Sequence, residues 1–329
     1  MFFRKKWQSF QEKHDFADGG WMLCATDASR RHSASAGGAV TELTRFLLEK
    51  GEVRTALGFI YETASVSYTP KWVYSAAEVI SVGSIYHEIP LIKFLRHSLD
   101  AIRPPLFVVA LPCQVGAIRV VCKKAEIPVY VVALVCSGQL RLEATRELFR
   151  RVTGNRSIAQ YRYRGGGWPS GVRINCDDGQ EMFVPNNSSI WSDIFHSAVF
   201  NLPRCFSCRD TFGIGADMTV GDPWLPRYVQ NETEGISMCI PQNHWAVSTL
   251  RQMLDQGLFE LKEIIPSWEV VASQRGTLEK KAIYRAYPTM ISILRSLYRQ
   301  SWYMKWVFDR NLGIHIRFHQ KCINLFKRL

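Results

Sequence analysis

The sequence predicts an α/β protein in which a parallel or mixed sheet is covered by helices. Two apolar runs, LFVVAL (106–111) and VYVVALVC (129–136), flank the helical stretch QVGAIRVVCKKA. Continuous apolar strands joined through a helix are typical of parallel strands that are buried on both faces. After about residue 155, shorter strands and turns such as RGGGWPSG indicate a smaller α+β region. We expect this region to carry a Cys-x-x-Cys loop and to be followed by a helical C-terminal tail.

The elements can be predicted in chain order. WMLCAT (21–26) is predicted as a buried strand, the stretch after it has apolar residues at helical spacing, and VRTALGFIY resumes as a strand. The chain therefore opens as β-α-β, and further helices are expected over 88–102 and 140–152. Composition divides the chain into three regions: an α/β region (1–155), an α+β region with the cysteine loop (156–277) and a basic, aromatic, helical tail (278–329).

Charge and cysteine content narrow the function classes. The 329 residues include 41 Lys and Arg against 29 Asp and Glu, a net charge of +12. This excess suits nucleic acid, anionic lipid or anionic cofactors. The N-terminus lacks the apolar core and cleavage site of a secretory signal, and no run approaches the roughly 18 apolar residues of a membrane span. We expect a cytoplasmic protein whose nine cysteines stay free, bind metal or perform redox chemistry.

Four of the cysteines have positions that favour metal binding. Cys113 and Cys136 each follow a predicted strand, and a right-handed crossover brings the carboxyl ends of both strands to the same edge of the sheet. Cys205 and Cys208 form a Cys-x-x-Cys pair, a spacing that directs two sulfurs to one side. Four thiolates suit a tetrahedral zinc or a cubane iron–sulfur cluster. The alternative is that Cys113 and Cys136 are ordinary buried residues.

Three stretches have the character of anion-binding sites. Ser35, Gly37 and Gly38 stand at the start of a helix, where free backbone amides and the helix dipole favour a phosphate. Lys71 lies among aromatic residues in TPKWVYS, and YRYRGGGW places two arginines before three glycines. The alternatives are a capped helix, a solvated lysine and a basic hairpin. The two arginines are Arg162 and Arg164.

Together these segments resemble the coenzyme F-420 hydrogenase/dehydrogenase beta-subunit family. The resemblance spans about residues 33 to 255 and rests on an ordered set of segments rather than on one motif. In order, the segments are SASAGGAVTELTRFLLEKGEV, TPKWVYS, LPCQVGAIR, VVALVCSG, YRYRGGGW, RCFSCRDTFGIGADMTVGDPW and EGISMCI.

The resemblance implies an FAD-dependent iron–sulfur oxidoreductase. Hydride chemistry at a flavin would be coupled to one-electron transfer through a single 4Fe-4S cluster, with a small molecule as substrate. Region 1–155 would bind the flavin, and Lys71, Arg164 and Asp222 would join the glycine-rich helix start around it. The cluster ligands implied by the resemblance are Cys113, Cys136, Cys205 and Cys208.

Departures from the family pattern also carry information. Many relatives have a ferredoxin-like N-terminal segment with clustered cysteines, which this sequence lacks, so we expect the electron partner to be a separate ferredoxin-like protein or redox subunit. Ala110-Leu111 replaces the usual Gly-Thr before the first cysteine, and Ser-Gly-Gln-Leu replaces His-Gly-x-Pro after the second. No proton donor can be assigned, since His32 and His87 are candidates by location alone.

The tail admits two interpretations and leads to a second function. Its Arg, Lys, Trp and Tyr residues suit an amphipathic helix at an anionic membrane surface, on the inner face of the membrane, or a helical cap packed on the domain. No nucleic-acid motif is present, and we expect no nucleic-acid partner. The alternative function is a non-catalytic, zinc- or cluster-stabilised, membrane-associated protein of surface-polysaccharide biosynthesis.

Overall fold

The computed structural model describes residues 15–154, 156–196 and 199–286, together with the single positions 293, 296 and 321. Strands and helices alternate over this part of the chain. The strands are β1 (Gly20–Ala25), β2 (Thr55–Glu62), β3 (Ser67–Val73), β4 (Leu106–Ala110), β5 (Val129–Leu134), β6 (Ile158–Arg162), β7 (Gly171–Cys176), β8 (Glu181–Pro185), β9 (Met218–Gly221), β10 (Ser237–Pro241) and β11 (Phe259–Ile265). The α-helices are α1 (Ala28–Ser33), α2 (Ala39–Glu49), α3 (Leu91–His97), α4 (Pro112–Lys124), α5 (Leu142–Thr153), α6 (Ser189–Trp191), α7 (Pro226–Asn231), α8 (His244–Asp255), α9 (Ser267–Ser273) and α10 (Arg275–Ala286).

Eight strands form one mixed sheet in the order β11-β1-β10-β9-β5-β4-β2-β3. The central strands β2, β4, β5 and β9 are parallel to one another, and the outer strands pair antiparallel. Strands β6, β7 and β8 form a separate antiparallel sheet. The predicted α/β class, with a mixed sheet and a smaller second region, is confirmed. The large sheet takes strands from both sides of residue 155.

The central strands are buried on both faces, as their continuous apolar sequences predict. In β4, Phe107 packs into the core beneath α2 and α8, whereas its neighbours Leu106 and Val108 pack into the core beneath α3 and α4. In β5, Val131 and Val132 divide between the same two cores. This alternation is the two-residue period of a pleated strand covered by helices on each side.

Two local expectations differ from the structure. β1 does not neighbour β2, because it lies between β10 and β11 and pairs antiparallel with both. The helix expected over 88–102 is broken into α3 and a 3₁₀ turn at Leu99–Ala101. The break falls at Ser98, where the backbone leaves the helical region and the hydroxyl donates to the Phe94 carbonyl oxygen at 2.8 Å.

The predicted tail begins inside α10, which packs onto the domain through buried Leu278, Ile283 and Tyr284. The prediction of a membrane-binding helix falls on residues from 287 onward, which lie outside the described residues apart from three single positions. Within the described chain, no helix combines the length and apolar character that a membrane span requires.

Candidate functional site

Four cysteines line one cavity of about 260 Å³, which we call the cysteine cavity. All four thiols are free of disulfides, and Cys113 is exposed whereas the other three are partly buried. One side of the cavity therefore reaches the protein surface. The four residues are Cys113, Cys136, Cys205 and Cys208. The structure thus brings together the cysteines that the sequence singled out, and their assignment as ligands stays a proposal.

Strand register explains how Cys113 and Cys136 come to the same place. Ala110 of β4 is paired with Ala133 of β5 in parallel register, and each cysteine lies three residues beyond its alanine. The chain turns into α4 at Pro112, where the Leu111 amide donates to the Gln114 side chain at 2.9 Å. Both thiols therefore lie at the carboxyl edge of the parallel strands, where open α/β sheets bind their ligands.

The Cys-x-x-Cys pair lies at a 3₁₀ turn, with Cys205 inside the turn and Cys208 directly after it. Cys205 belongs to the turn Pro203–Ser207, and the Cys136 amide donates to the Thr211 carbonyl oxygen at 3.2 Å, which joins this segment to the end of β5. The Asp210 carboxylate accepts hydrogen bonds from three successive backbone amides at 2.8 to 3.0 Å. This aspartate orders the loop, as short acidic side chains do in turns.

Burial sets the protonation of the Cys136 and Cys205 thiols. It raises the pKa of Cys136 to about 11. It also raises the pKa of Cys205, an effect opposed by the backbone amide of Gln139, which donates to the Cys205 sulfur at 3.3 Å. Without metal both groups are protonated at neutral pH. A metal that binds here must displace protons, so its binding is expected to weaken as pH falls.

Two kinds of metal centre use four thiolates, and they differ in the spacing of the sulfurs. With zinc–sulfur bonds of about 2.3 Å, the sulfurs of a tetrahedral zinc site lie roughly 3.8 Å apart. Among the described residues, no three His, Cys, Asp or Glu side chains come close enough to share one metal ion. A cubane cluster spreads its four thiolates over four irons, which needs a wider arrangement around a cavity. Four thiols around one cavity are a donor set that a cluster can use.

A second, larger cavity of about 910 Å³ adjoins the first, and we call it the large cavity. Its volume is near the upper end of the range for small-molecule sites, roughly 300–1,000 Å³. The two cavities share five lining residues, so a molecule in the large cavity would lie next to the cysteines. The shared residues are Leu111, Cys136, Gly138, Gln139 and Arg204.

The first turn of α2 opens onto the large cavity. Gly38 begins the helix with a φ of 83°, and no side chain caps the helix start. Ser35 and Gly38 line the large cavity, as do residues 39–41. Gly37 does not line the large cavity. It packs instead against the backbone, where an added Cβ would approach the Leu23 carbonyl oxygen and the Ser237 amide nitrogen to 2.6 Å. Gly37 thus permits close packing of the chain against β1 and β10, and the uncapped helix start has the polarity that favours an anion.

Two lysines line the large cavity without an ion-pair partner in the described part of the chain. Lys71 projects from β3, opposite Gly58 of β2, and Lys280 projects from α10. Neither lysine occurs among the ion pairs of the described residues. The large cavity therefore combines two uncompensated cations with a helix start, which favours an anionic ligand.

Arg164 and Asp222 both line the large cavity but bind each other. Arg164 is 3% exposed, and its two terminal nitrogens donate to the Asp222 carboxylate at 2.5 and 3.2 Å. Burial favours the neutral guanidine, but the Asp222 carboxylate outweighs this effect and raises the pKa of Arg164. The charge of Arg164 is thus balanced within the protein. Arg162 donates to the carbonyl oxygens of Ser33 and Ser81 and does not line the large cavity.

Neither candidate histidine has the geometry of a proton donor. His87 lines the large cavity, but its Nε2 accepts from the Tyr68 amide at 3.0 Å and its Nδ1 lies 2.9 Å from the Glu88 carbonyl oxygen. Burial lowers the pKa of His87, so the ring stays neutral. The side chain of His32 is 57% exposed and lies 3.7 Å from Glu234.

Sequence reasoning missed Lys281, which lines the cysteine cavity. Its Nζ donates to the Cys208 sulfur at 3.7 Å and to the Asp210 carbonyl oxygen at 2.5 Å. The signal lies in the helical period: Leu278 and Tyr284 stand three residues to either side, and both are buried. Lys281 therefore lies on the inward face of α10, within the region predicted as a basic, aromatic, helical tail.

Comparisons with known proteins identify the family and the fold of this chain. Residues 22–96 match the family description "Coenzyme F420 hydrogenase/dehydrogenase, beta subunit N-term", and residues 105–267 match the description of the C-terminal part of the same subunit. A solved structure, titled as a xenon derivatization of the F420-reducing [NiFe] hydrogenase complex from Methanosarcina barkeri, contains a chain with the same fold. It has a TM-score of 0.61 and 17% identity, over 80% of this chain and 89% of that chain. No curated protein matches significantly. The chain belongs to the coenzyme F420 hydrogenase/dehydrogenase beta-subunit family.

Proposed function

We propose that this protein is an FAD-dependent iron–sulfur oxidoreductase with one 4Fe-4S cluster bound by Cys113, Cys136, Cys205 and Cys208. Membership of a family of redox subunits supports the class of activity. The observation that carries the proposal is the junction of two cavities: four thiols line one, and Cys136 also lines the large cavity beside it. Such a junction brings a two-electron and a one-electron carrier within transfer distance.

The large cavity is the proposed flavin site. The uncapped start of α2 and the ammonium of Lys71 supply the positive charge that the FAD pyrophosphate requires. Ser35, which precedes α2, also lines the large cavity and accepts a hydrogen bond from the Ser84 hydroxyl at 3.1 Å. The Arg164–Asp222 pair forms a neutral part of the wall. The bound flavin would exchange a hydride with substrate and pass electrons singly to the cluster.

The residues between the cavities position the cluster ligands. The turn after β5 contributes Cys136, Gly138 and Gln139 to both cavities, and the Gln139 amide donates to the Cys205 sulfur. Gly138 has a φ of 151°, and a Cβ there would come within 2.9 Å of the Asn201 side chain. A side chain at position 138 would collide with Asn201. Glycine therefore allows the close packing that keeps the large cavity adjacent to the thiols.

The proposed electron partner is a separate, acidic one-electron carrier. Arg204 and Arg209 line the cysteine cavity and are exposed. Neither arginine forms an ion pair with the described residues. Cys113 is exposed on the same cavity, so a docked carrier would approach the cluster where it reaches the surface. A carrier with an acidic surface would complement the positive charge of these two arginines.

The test is the cofactor content of anaerobically purified protein. We expect iron, acid-labile sulfide and flavin in the wild type, and loss of iron and sulfide to background in Cys136→Ser. The matched control is Cys122→Ala, which changes a buried cysteine of α4 outside both cavities and should retain the cluster. A colourless wild-type protein that contains zinc and no flavin would refute the proposal and favour the zinc-stabilised alternative.

A further inference from the structure

Lys281 is a buried cation that has no carboxylate partner in the described part of the chain. Only 2% of the residue is exposed. Its ammonium donates to the Asp210 carbonyl oxygen and to the Cys208 sulfur at 3.7 Å. No ion pair of the described residues includes it, and the nearby Asp210 carboxylate is already bonded to three backbone amides. Among the described residues, no side chain supplies the anion that would balance this ammonium.

The fold fixes the position of this ammonium. Leu278 and Tyr284 anchor α10 on either side of Lys281 and are both at most 3% exposed. The Tyr284 ring packs on Phe206, which lies within the Cys-x-x-Cys pair, with ring centroids 5.1 Å apart. The helix that carries the cation and the turn that carries the thiols are thus one packed unit, and Lys281 cannot leave the cysteine cavity without unpacking α10.

The energetic cost of this arrangement points to its ligand. Burying an ammonium without a counter-charge is strongly unfavourable, and proteins retain such groups where an anion pairs with them. A cluster held by four thiolates brings that negative charge to the cysteine cavity. On the basis of the proposed function, we propose that Lys281 is the counter-charge of the cluster and raises its reduction potential by stabilising the reduced, more negative state.

This property belongs to a part of the chain outside the family match, which ends at residue 267. The neighbouring Lys280 lines the large cavity and interacts with Cys136 and Cys205 only through space, whereas Lys281 lines the cysteine cavity. The two adjacent lysines therefore offer a matched pair of substitutions. Each removes one positive charge from the same turn of α10, but only Lys281 donates to a cysteine sulfur.

The test is a redox titration of the cluster-loaded protein, followed by electron paramagnetic resonance. We expect Lys281→Met to lower the midpoint potential of the cluster, Lys281→Arg to stay closer to the wild type because it retains the charge, and Lys280→Met to give a smaller shift. Circular dichroism checks that each variant is folded. If the methionine variant does not fold, Lys281→Gln, which keeps a polar N–H donor, is measured by the same criterion.

The possible outcomes separate this inference from the function on which it rests. A loaded Lys281→Met or Lys281→Gln protein with the wild-type midpoint potential would overturn the counter-charge role and leave the proposed function standing. An equal shift in Lys280→Met would also overturn it, because the effect would then not depend on contact with the sulfur. A wild-type protein that contains no cluster would overturn both.

Discussion

His87 is held in one protonation state by its surroundings. Its two ring nitrogens meet a backbone amide and a backbone carbonyl, and the residue is 2% exposed. A charged ring would lose the hydrogen bond from the Tyr68 amide, since an imidazolium has no acceptor nitrogen. The role of His87 is therefore to join β3 to the segment before α3, where Gln139 also donates to the His87 carbonyl oxygen.

This protonation state predicts an acid-sensitive fold. Burial lowers the pKa of His87 below the value of about 6.5 in the unfolded chain. The unfolded state then binds more protons, so the free energy of unfolding falls as pH decreases from about 6.5 towards the folded pKa. His196, whose pKa burial also lowers, contributes with the same sign.

The measurement is urea unfolding between pH 7.5 and 5.5, compared with a His87→Gln variant. One histidine contributes a slope of at most about 1.4 kcal/mol per pH unit. We expect the wild-type slope to be steeper than that of the variant over this interval. Parallel slopes would show that His87 is not the group that titrates on unfolding.

At the scale of elements, a buried ion pair joins the two sheets. Arg164 follows β6 of the small sheet, and Asp222 follows β9 of the large sheet. The Trp168 indole nitrogen also donates to Asp222 at 3.1 Å, and the amides of Gly166 and Gly167 donate to the His32 carbonyl oxygen. The glycine-rich stretch therefore acts as a clamp between sheets, which places the wall of the large cavity.

Breaking this pair is expected to destabilise the protein. Arg164→Met leaves the Asp222 carboxylate largely buried without its partner, a change that costs about 3 kcal/mol or more in comparable sites. Arg227→Met is the control, because Arg227 pairs with Glu263 and Glu269 at 2.8 and 2.5 Å but its side chain is 43% exposed, and each such pair contributes less than about 1 kcal/mol. Equal losses of unfolding free energy in the two variants, measured in urea, would contradict the clamp.

The elements also show what local sequence can and cannot predict. The apolar runs of β4 and β5 and the helix between them were predictable, and so was the edge at which Cys113 and Cys136 meet, because both follow from strand polarity. The position of β1 was not, since its partners β10 and β11 lie more than 200 residues away. The pairing of Arg164 with Asp222 was equally hidden, because it joins two loops of different sheets.

Across the whole molecule, the two cavities adjoin each other, and the cysteine cavity reaches the surface at Cys113. Cys113 is exposed, Cys136 lies between the two cavities, and the large cavity extends to the start of α2. In the proposed function, an electron that enters beside Cys113 would reach the proposed cluster before the proposed flavin. The net charge of +12 favours an acidic partner in general, but only a charge beside Cys113 would orient that partner towards the cluster.

Reversing the charge of Arg209 is expected to slow electron transfer from an acidic carrier. Arg209 lines the cysteine cavity, whereas Arg54 is exposed just before β2, at the opposite edge of the parallel strands. Stopped-flow mixing of the loaded protein with a reduced ferredoxin should show a rate lower by on the order of tenfold in Arg209→Glu at low ionic strength. Arg54→Glu makes the same change of net charge and should have little effect.

The difference should shrink with added salt, because the Debye length falls to about 3 Å at 1 M. Equal slowing in both variants would mean that net charge, and not a docking site beside Cys113, governs the encounter.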